Sequence, residues 1–371
     1  MISWGVWSDS TDEQCWATTG KPPLDGRWVD VNKGDTHHPN IRSRYVAKDL
    51  ALTKSDEFFA AMPPLEALRM LISFVASGRT NGRGGRKILI IDARKAHLHA
   101  FPERDIFVRL PPELRKKGRC GWIRRCLYGT RDAPAMWEAF LAGELKTHGF
   151  IQGVASPCVF VHSTRDLRCM VHGDDFIFAG EEGDLQWVEA RMEESFLIKI
   201  VGLLGGDEGD LKEVRVLNRV LTWTSTGILY EADPRLVEQL VQDFSTAAGP
   251  VKTAGTKQEA QEENLLDTGE HRRFRGGAAR ANYLAQDRPD ISYATKELCR
   301  RMHAPHASDM KALERLVRYL SGAGRLQYRF DWQQDNSLCV YCDTDFAGCS
   351  VTRKSTSGGC AMLGQHLIKH W

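Results

Sequence analysis

Two hydrophobic periods alternate along the chain. Pro63-Pro64, then Leu65, Leu68, Leu71 or Ile72, and Val75, predicts an amphipathic helix with proline at its first turn and Gly78 at its end. The Gly/Arg stretch from 78 to 86 reads as a loop. Lys87-Ile88-Leu89-Ile90-Ile91-Asp92 is a short apolar run that stops abruptly at a carboxylate, the pattern of a buried strand. Ile106-Phe107-Val108 and Cys120 to Leu127 read as short strands. Pro134 opens a helix with Trp137, Phe140 or Leu141, and Leu145 on one face, and Gly149 stops it. In Cys169-Met170-Val171-His172-Gly173-Asp174-Asp175-Phe176-Ile177-Phe178, strand formers flank a glycine and two acids, which predicts a β-hairpin with both aspartates at its tip. Leu185, Val188, Met192 and Phe196 mark another helix. This strand–helix–hairpin–helix order predicts an α+β fold, a mostly antiparallel sheet with helices on one face.

Further on, Leu217 to Tyr230 alternates as a hairpin turned by Ser225-Thr226-Gly227, and Asp233-Pro234 starts a helix bearing Leu236, Val237, Leu240, Val241 and Phe244. Residues 245 to 270 read as a linker, followed by helices from Asp290 to His303 and from Ser308 to Leu320. Residues 1 to about 35 are polar, with Trp4, Trp7, Trp16 and Trp28 scattered among them and no helical period, so the first turns are expected to be poorly ordered.

The chain's 371 residues suffice for two or three domains. Its 42% hydrophobic and 26% charged residues are ordinary for a globular protein, and no run of about 18 apolar residues marks a membrane span. No secretory signal is visible at Met1-Ile2-Ser3-Trp4-Gly5, so an intracellular compartment with ten free cysteine thiols is the expectation. A net charge of +2 makes any nucleic-acid binding a matter of local clusters. The clusters are Arg83 to Lys87, Arg115-Lys116-Lys117 with Arg119, Arg124-Arg125, Arg272-Arg273 with Arg275, and Arg300-Arg301.

Asp174 and Asp175 side by side repel and stay charged cheaply only with a cation between them, and oxygen-only ligands suit Mg²⁺. An acid pair at a turn is usually a solvated loop. Asp92 at a strand end changes the weighting, because three carboxylates on two strand ends would form a two-metal platform for nucleotidyl transfer.

Three stretches carry a family resemblance: Ile90-Ile91-Asp92-Ala93-Arg94-Lys95-Ala96-His97-Leu98, Leu127-Tyr128-Gly129-Thr130-Arg131-Asp132-Ala133-Pro134-Ala135-Met136-Trp137, and His172-Gly173-Asp174-Asp175. In this order they resemble the reverse transcriptase of copia-type LTR retrotransposons, whose usual forms are D-V-K-x-A-F-L, L-Y-G-L-K-Q-A-P-R-x-W and Y-V-D-D. Lys21-Pro22, Arg27-Trp28-Val29 and Arg42 to Lys48 are similar to the start of that family's fingers. Tyr283-Leu284-Ala285-Gln286 and Arg288-Pro289-Asp290-Ile291-Ser292-Tyr293-Ala294 resemble its connecting segment. Leu338 to Gly348 and Arg353 to Gly359 resemble the first strands of its ribonuclease H domain.

The resemblance implies a right-hand polymerase with an antiparallel palm sheet: a poorly ordered segment over 1–19, fingers, palm and thumb over 20–245, a linker and connection helices over 246–335, and a truncated ribonuclease H-like segment over 336–371. It implies RNA-directed DNA polymerase activity with two Mg²⁺ ions, or Mn²⁺ in their place, held by Asp92, Asp174 and Asp175 with the Ala93 carbonyl. Arg42, Arg44, Lys48, Lys95, Ala96, His97, Tyr128 and Gly129 are the implied nucleotide-binding residues, Lys199 a candidate proton donor and Asp343 the first ribonuclease H acid. The implied partners are an RNA template, a DNA or RNA primer and a deoxynucleoside triphosphate, with no membrane. The implied location is the cytoplasmic retrotransposon particle, extending to the nucleus. Two other classes compete with an active polymerase: a decayed remnant that binds nucleic acid, and a structural subunit of the particle.

Three departures from the family forms stand out. His172-Gly173 replaces Tyr-Val, Asp132 replaces Gln beside Arg131, and His97 replaces the aromatic five positions after the first aspartate. The expectation is that glycine removes packing near the primer end. Asp132 is expected to weaken nucleotide binding unless Arg131 pairs with it. The family's S-S-T-E-A-E-Y segment and later acids have no counterpart before Trp371, so ribonuclease H activity is not expected. Cys339-x-x-Cys342 with His366-x-x-x-His370 imitates zinc-ligand spacing, but the intervening gap is far too long for a compact finger, and strand alternation points the two cysteines to opposite faces.

Overall fold

The apolar run before Asp92 forms the strand Lys87–Ala93, with Ile88, Leu89, Ile90 and Ile91 all buried. It lies inside a six-stranded sheet ordered Ile198–Leu204, Lys87–Ala93, Asp175–Gly180, Leu167–His172, Val159–His162, Ile151–Gln152. The last four strands pair antiparallel. The computed structural model describes residues 2–35, 38–50, 58–78, 85–244, 247–256, 264–349 and 352–371. These divide into two units, residues 1–64 with 89–201 and residues 65–88 with 202–371.

In the first unit, Phe176 and Phe178 sit two apart on one strand and so face the same side of the sheet. That side meets Trp137 of the helix Ala133–Thr147 and Phe196 at the end of the helix Glu182–Ser195, with ring centroids of Trp137 and Phe196 5.5 Å apart. The antiparallel hairpin Gly26–Asn32/Ile41–Ala47 belongs to the same unit. The N-terminal segment is ordered, contrary to the expectation for residues 1–19. Trp7–Thr11 pairs antiparallel with Arg119–Ile123, and Asp12–Thr19 is helical. Thr11 caps that helix, its Oγ1 accepting from the Gln14 amide at 3.1 Å. Burial of Val6 and Cys15 anchors the segment.

In the second unit, the helix Leu65–Ala76 follows its proline start as expected. The strands Glu213–Val216, Arg219–Trp223, Gly227–Ala232 and Gln327–Asp331 form an antiparallel sheet. The helices Pro234–Phe244, Pro289–Arg300 and Ala307–Gly322 match the predicted ones to within a few residues. Another helix, Thr268–Ala285, starts inside the expected linker. Its buried face sets Phe274 and Leu284 among the small Gly277, Ala278, Ala281 and Ala285, too few large apolar residues to register as a stripe, and Asp267 caps it through the amides of Gly269 and Glu270. Most of the predicted 78–86 loop lies outside the described residues. Among the described residues no helix is long and apolar enough to cross a membrane. Among the described residues no cysteine forms a disulfide.

The zinc-like histidines are spent within this unit. His366 and His370 each face a backbone carbonyl through Nε2, those of Asp331 at 2.8 Å and Ala285 at 3.1 Å. A carbonyl only accepts, so His366 Nε2 carries the proton and Nδ1 accepts, from Ser73 Oγ at 2.8 Å and Gln333 Nε2 at 3.1 Å. Burial holds the His366 imidazole below its ordinary pKa, against a smaller opposing pull from Asp331. The unfolded chain therefore binds the proton first, and stability is lost as pH falls below the unfolded value of about 6.5. The slope from this one residue is at most about 1.4 kcal/mol per pH unit. Thermal melting from pH 7.5 to 5.5 is expected to fall less steeply in His366→Gln than in wild type. Parallel profiles would contradict this assignment.

Candidate active site

The hairpin predicted around the paired acids is built from Leu167–His172 and Asp175–Gly180, with Asp175 opposite His172. Gly173 and Asp174 are left as a two-residue loop. Gly173 takes φ +64°, as the first loop position of a type II′ turn requires. A Cβ there would meet nothing within 4 Å, so glycine at this position relieves backbone strain rather than a clash. Two hydrogen bonds hold the loop. The Ala93 amide donates to Asp174 O at 2.8 Å, and Trp137 Nε1 donates to Gly173 O at 2.8 Å. The first ties the end of the Asp92 strand to the acid pair.

Asp92, Asp174 and Asp175 consequently act on one another. Burial pushes the Asp175 carboxyl up to about 6, with Asp174 and Asp92 adding repulsion. Burial and Asp174 also raise Asp92, against the pull of Lys199, Arg94 and Arg42. Among the described residues, no three Asp, Glu, His or Cys side chains are gathered closely enough to hold a metal ion as they stand. The donor set itself, three carboxylates whose mutual repulsion a cation would relieve, suits a hard divalent ion.

Among the residues expected to meet the nucleotide, His97 packs on Tyr128 with ring centroids 4.6 Å apart, and the Arg44 guanidinium lies 5.5 Å from the Tyr128 ring centre. Burial keeps the His97 imidazole below its ordinary pKa, against an opposing pull from Asp174, and its buried Nδ1 has no hydrogen-bond partner. Gly129 has φ +88°, and a Cβ would come within 2.2 Å of Ala47 O, so no other residue lets the Tyr128-Gly129 turn close on the Ile41–Ala47 strand. Ala96 is buried, whereas Arg42, Lys48 and Lys199 are exposed. Lys95, left-handed at φ 58°, directs its ammonium to within 5.0 Å of the Trp4 ring centre. Asp343 belongs to the second unit, exposed on the strand Leu338–Thr344, and its Oδ1 accepts from the Thr344 amide.

Asp132 is buried and its charge is met by Arg104, which also pairs with Asp49, rather than by the expected Arg131. The Arg131 backbone amide instead donates to Asp49 Oδ2 at 3.0 Å. Sequence reasoning missed Arg104 because its partner lies 28 positions away. It also missed the indole N–H of Trp137, which periodicity marked only as core. Of the basic clusters, Arg119 pairs with Asp9, Arg125 donates to His99 O and Arg300 pairs with Glu297. Arg272 and Arg275 are exposed on one helix.

Comparison with known proteins bears on the family of the chain. Residues 16–206 match the family model described as reverse transcriptase (RNA-dependent DNA polymerase). The chain is 28% identical over 296 residues to the retrovirus-related Pol polyprotein from transposon RE1 of Arabidopsis thaliana, covering 75% of this chain and 19% of that protein. It is 24% identical over 362 residues to the counterpart from transposon TNT 1-94 of Nicotiana tabacum, covering 91% and 26%. The chain thus spans only about a fifth to a quarter of these relatives. A foamy viral protease-reverse transcriptase solved with double-stranded DNA shares the fold at TM-score 0.54 and 14% identity, over 100% of this chain and 53% of that one. With the family model covering more than half of the chain, this protein belongs to the reverse transcriptase family, in the branch carried by copia-type retrotransposon Pol polyproteins.

Proposed function

We propose that the chain is a working RNA-directed DNA polymerase, extending a primer on an RNA template from deoxynucleoside triphosphates. One observation carries this: the Ala93 amide bonds the Asp174 carbonyl, tying the end of the Asp92 strand to the acid pair, and burial first, with repulsion among the acids second, raises Asp92 and Asp175. Mg²⁺ ions bound to these carboxylates and the Ala93 carbonyl would supply charge neutralisation for the attacking primer oxygen and the departing pyrophosphate. The residues' own part is positioning: Arg42 and Arg44 face the triphosphate, the Lys95 and Ala96 amides donate to phosphate oxygens, and Lys199 carries a proton to pyrophosphate. The template and primer are held through shape and backbone charge, to which the exposed Arg272 and Arg275 contribute. The solved foamy viral relative, with its bound DNA duplex, supports a duplex partner.

The test is templated choice. Purified protein is expected to incorporate dTMP on poly-rA/oligo-dT and dGMP on poly-rC/oligo-dG, and not the reverse pairs. Duplex binding without incorporation would instead identify a decayed binding protein.

His97 gives this site a specific selectivity. By resemblance it stands where an aromatic ring excludes a ribose 2′-hydroxyl, and an imidazole is smaller and can hydrogen-bond. A bond of this kind is worth about 0.5–1.5 kcal/mol, so His97→Phe is expected to raise the preference for deoxy- over ribonucleotides by up to roughly tenfold. Competition between dTTP and UTP measures it. An unchanged ratio would remove His97 from sugar selection.

A further inference from the structure

We infer that Trp137 is a positioning residue for the acid pair, setting the metal affinity of the site through a single hydrogen bond. This rests on the polymerase assignment of Asp92, Asp174 and Asp175. The Gly173 carbonyl, immediately before Asp174, accepts from Trp137 Nε1 at 2.8 Å. From the other side, Asp174 O accepts from the Ala93 amide, so successive carbonyls of the loop are anchored to a helix and to the strand that bears Asp92. The indole cannot turn away. It is buried, with His99, Phe176 and Phe196 ring centroids 5.9, 6.4 and 5.5 Å from its own. Glycine at 173 makes this anchor more important, because glycine leaves the loop its widest conformational freedom. Without the N–H, the Gly173 carbonyl loses its protein partner and the loop gains freedom to carry Asp174 and Asp175 away from Asp92.

Two variants separate the hydrogen bond from packing. Trp137→Phe removes both the N–H and part of the ring. Benzothienylalanine placed at position 137 keeps the bicyclic shape and replaces the N–H with sulfur. Both are compared with wild type in the full chain by the Mg²⁺ concentration at half-maximal primer extension, by hydrogen exchange of residues 169–178, and by melting temperature. The expected result for the benzothienyl variant is a Mg²⁺ midpoint raised about three- to tenfold and faster exchange confined to the 169–178 hairpin, with melting almost unchanged. Trp137→Phe is expected to shift the midpoint as far while melting lower. If the benzothienyl variant shows wild-type exchange and midpoint, Trp137 is packing alone and the inference is overturned. A wild-type protein that extends no primer would defeat the polymerase proposal. Hydrogen exchange would still decide whether Trp137 holds the hairpin.

Discussion

Replacing Asp174 by Asn is expected to lower templated nucleotide incorporation by about a hundredfold to a thousandfold and to leave hybrid binding nearly unchanged. Asn keeps the shape of the loop residue and removes its charge. The backbone carbonyl that accepts from the Ala93 amide is retained, so the hairpin stays in register. On the proposed reading, what disappears is an anionic ligand whose cation would offset several kcal/mol of developing charge, and each 1.36 kcal/mol is tenfold in rate. Asp92→Asn is expected to behave alike, since the two carboxylates already influence each other. Single-nucleotide incorporation alongside filter binding at graded salt measures both quantities. An Asp174→Asn protein with wild-type turnover would contradict the site assignment, and a variant that lost binding in parallel would point to a general electrostatic role.

Asp287→Ala is expected to produce the largest loss of stability of any single substitution considered. The Asp287 carboxylate is buried between two arginines that are themselves buried, Arg69 at 3.0 Å and Arg219 at 2.8 Å. It also accepts from the Tyr230 hydroxyl at 2.5 Å. Removing it leaves two guanidinium groups inside the second unit with no carboxylate between them. Breaking a buried pair costs about 3–5 kcal/mol, a large share of the roughly 5–15 kcal/mol that holds a domain folded. Melting should drop by about 10 °C or more. Glu297→Ala, which breaks the half-exposed pairs with Lys296 and Arg300, should cost less than about 1 kcal/mol. Equal shifts for the two variants in a thermal melt would show that the buried cluster is not the lock described.

The contrast between these two sites shows what the sequence could reveal. The strand end at Asp92 and the turn at Asp174-Asp175 were legible because apolar strand formers lead up to both. The helices after Pro64, Pro134 and Pro289 were legible for a similar reason, a proline start ahead of a strong stripe. Asp287 was not. Its partners lie at positions 69 and 219, and isolated charges in a sequence look like solvated surface until the fold brings them together. Asp132 and Arg104 escaped in the same way. The strand Trp7–Thr11 depends on a partner more than a hundred positions away, yet the helix after it carried a readable signal in Thr11-Asp12-Glu13-Gln14, a capping sequence. The helix Thr268–Ala285 was hidden because most of its core face is small residues, with Phe274 and Leu284 the large apolar side chains on it.

The most direct measurement of the central claim is extension of oligo-dT on poly-rA by the purified chain, with Mg²⁺ and with excess EDTA, beside Asp92→Asn. The account predicts extension with Mg²⁺, none in EDTA, and loss of about a hundredfold or more in the variant. Extension that persists in EDTA, or that Asp92→Asn leaves intact, would contradict it.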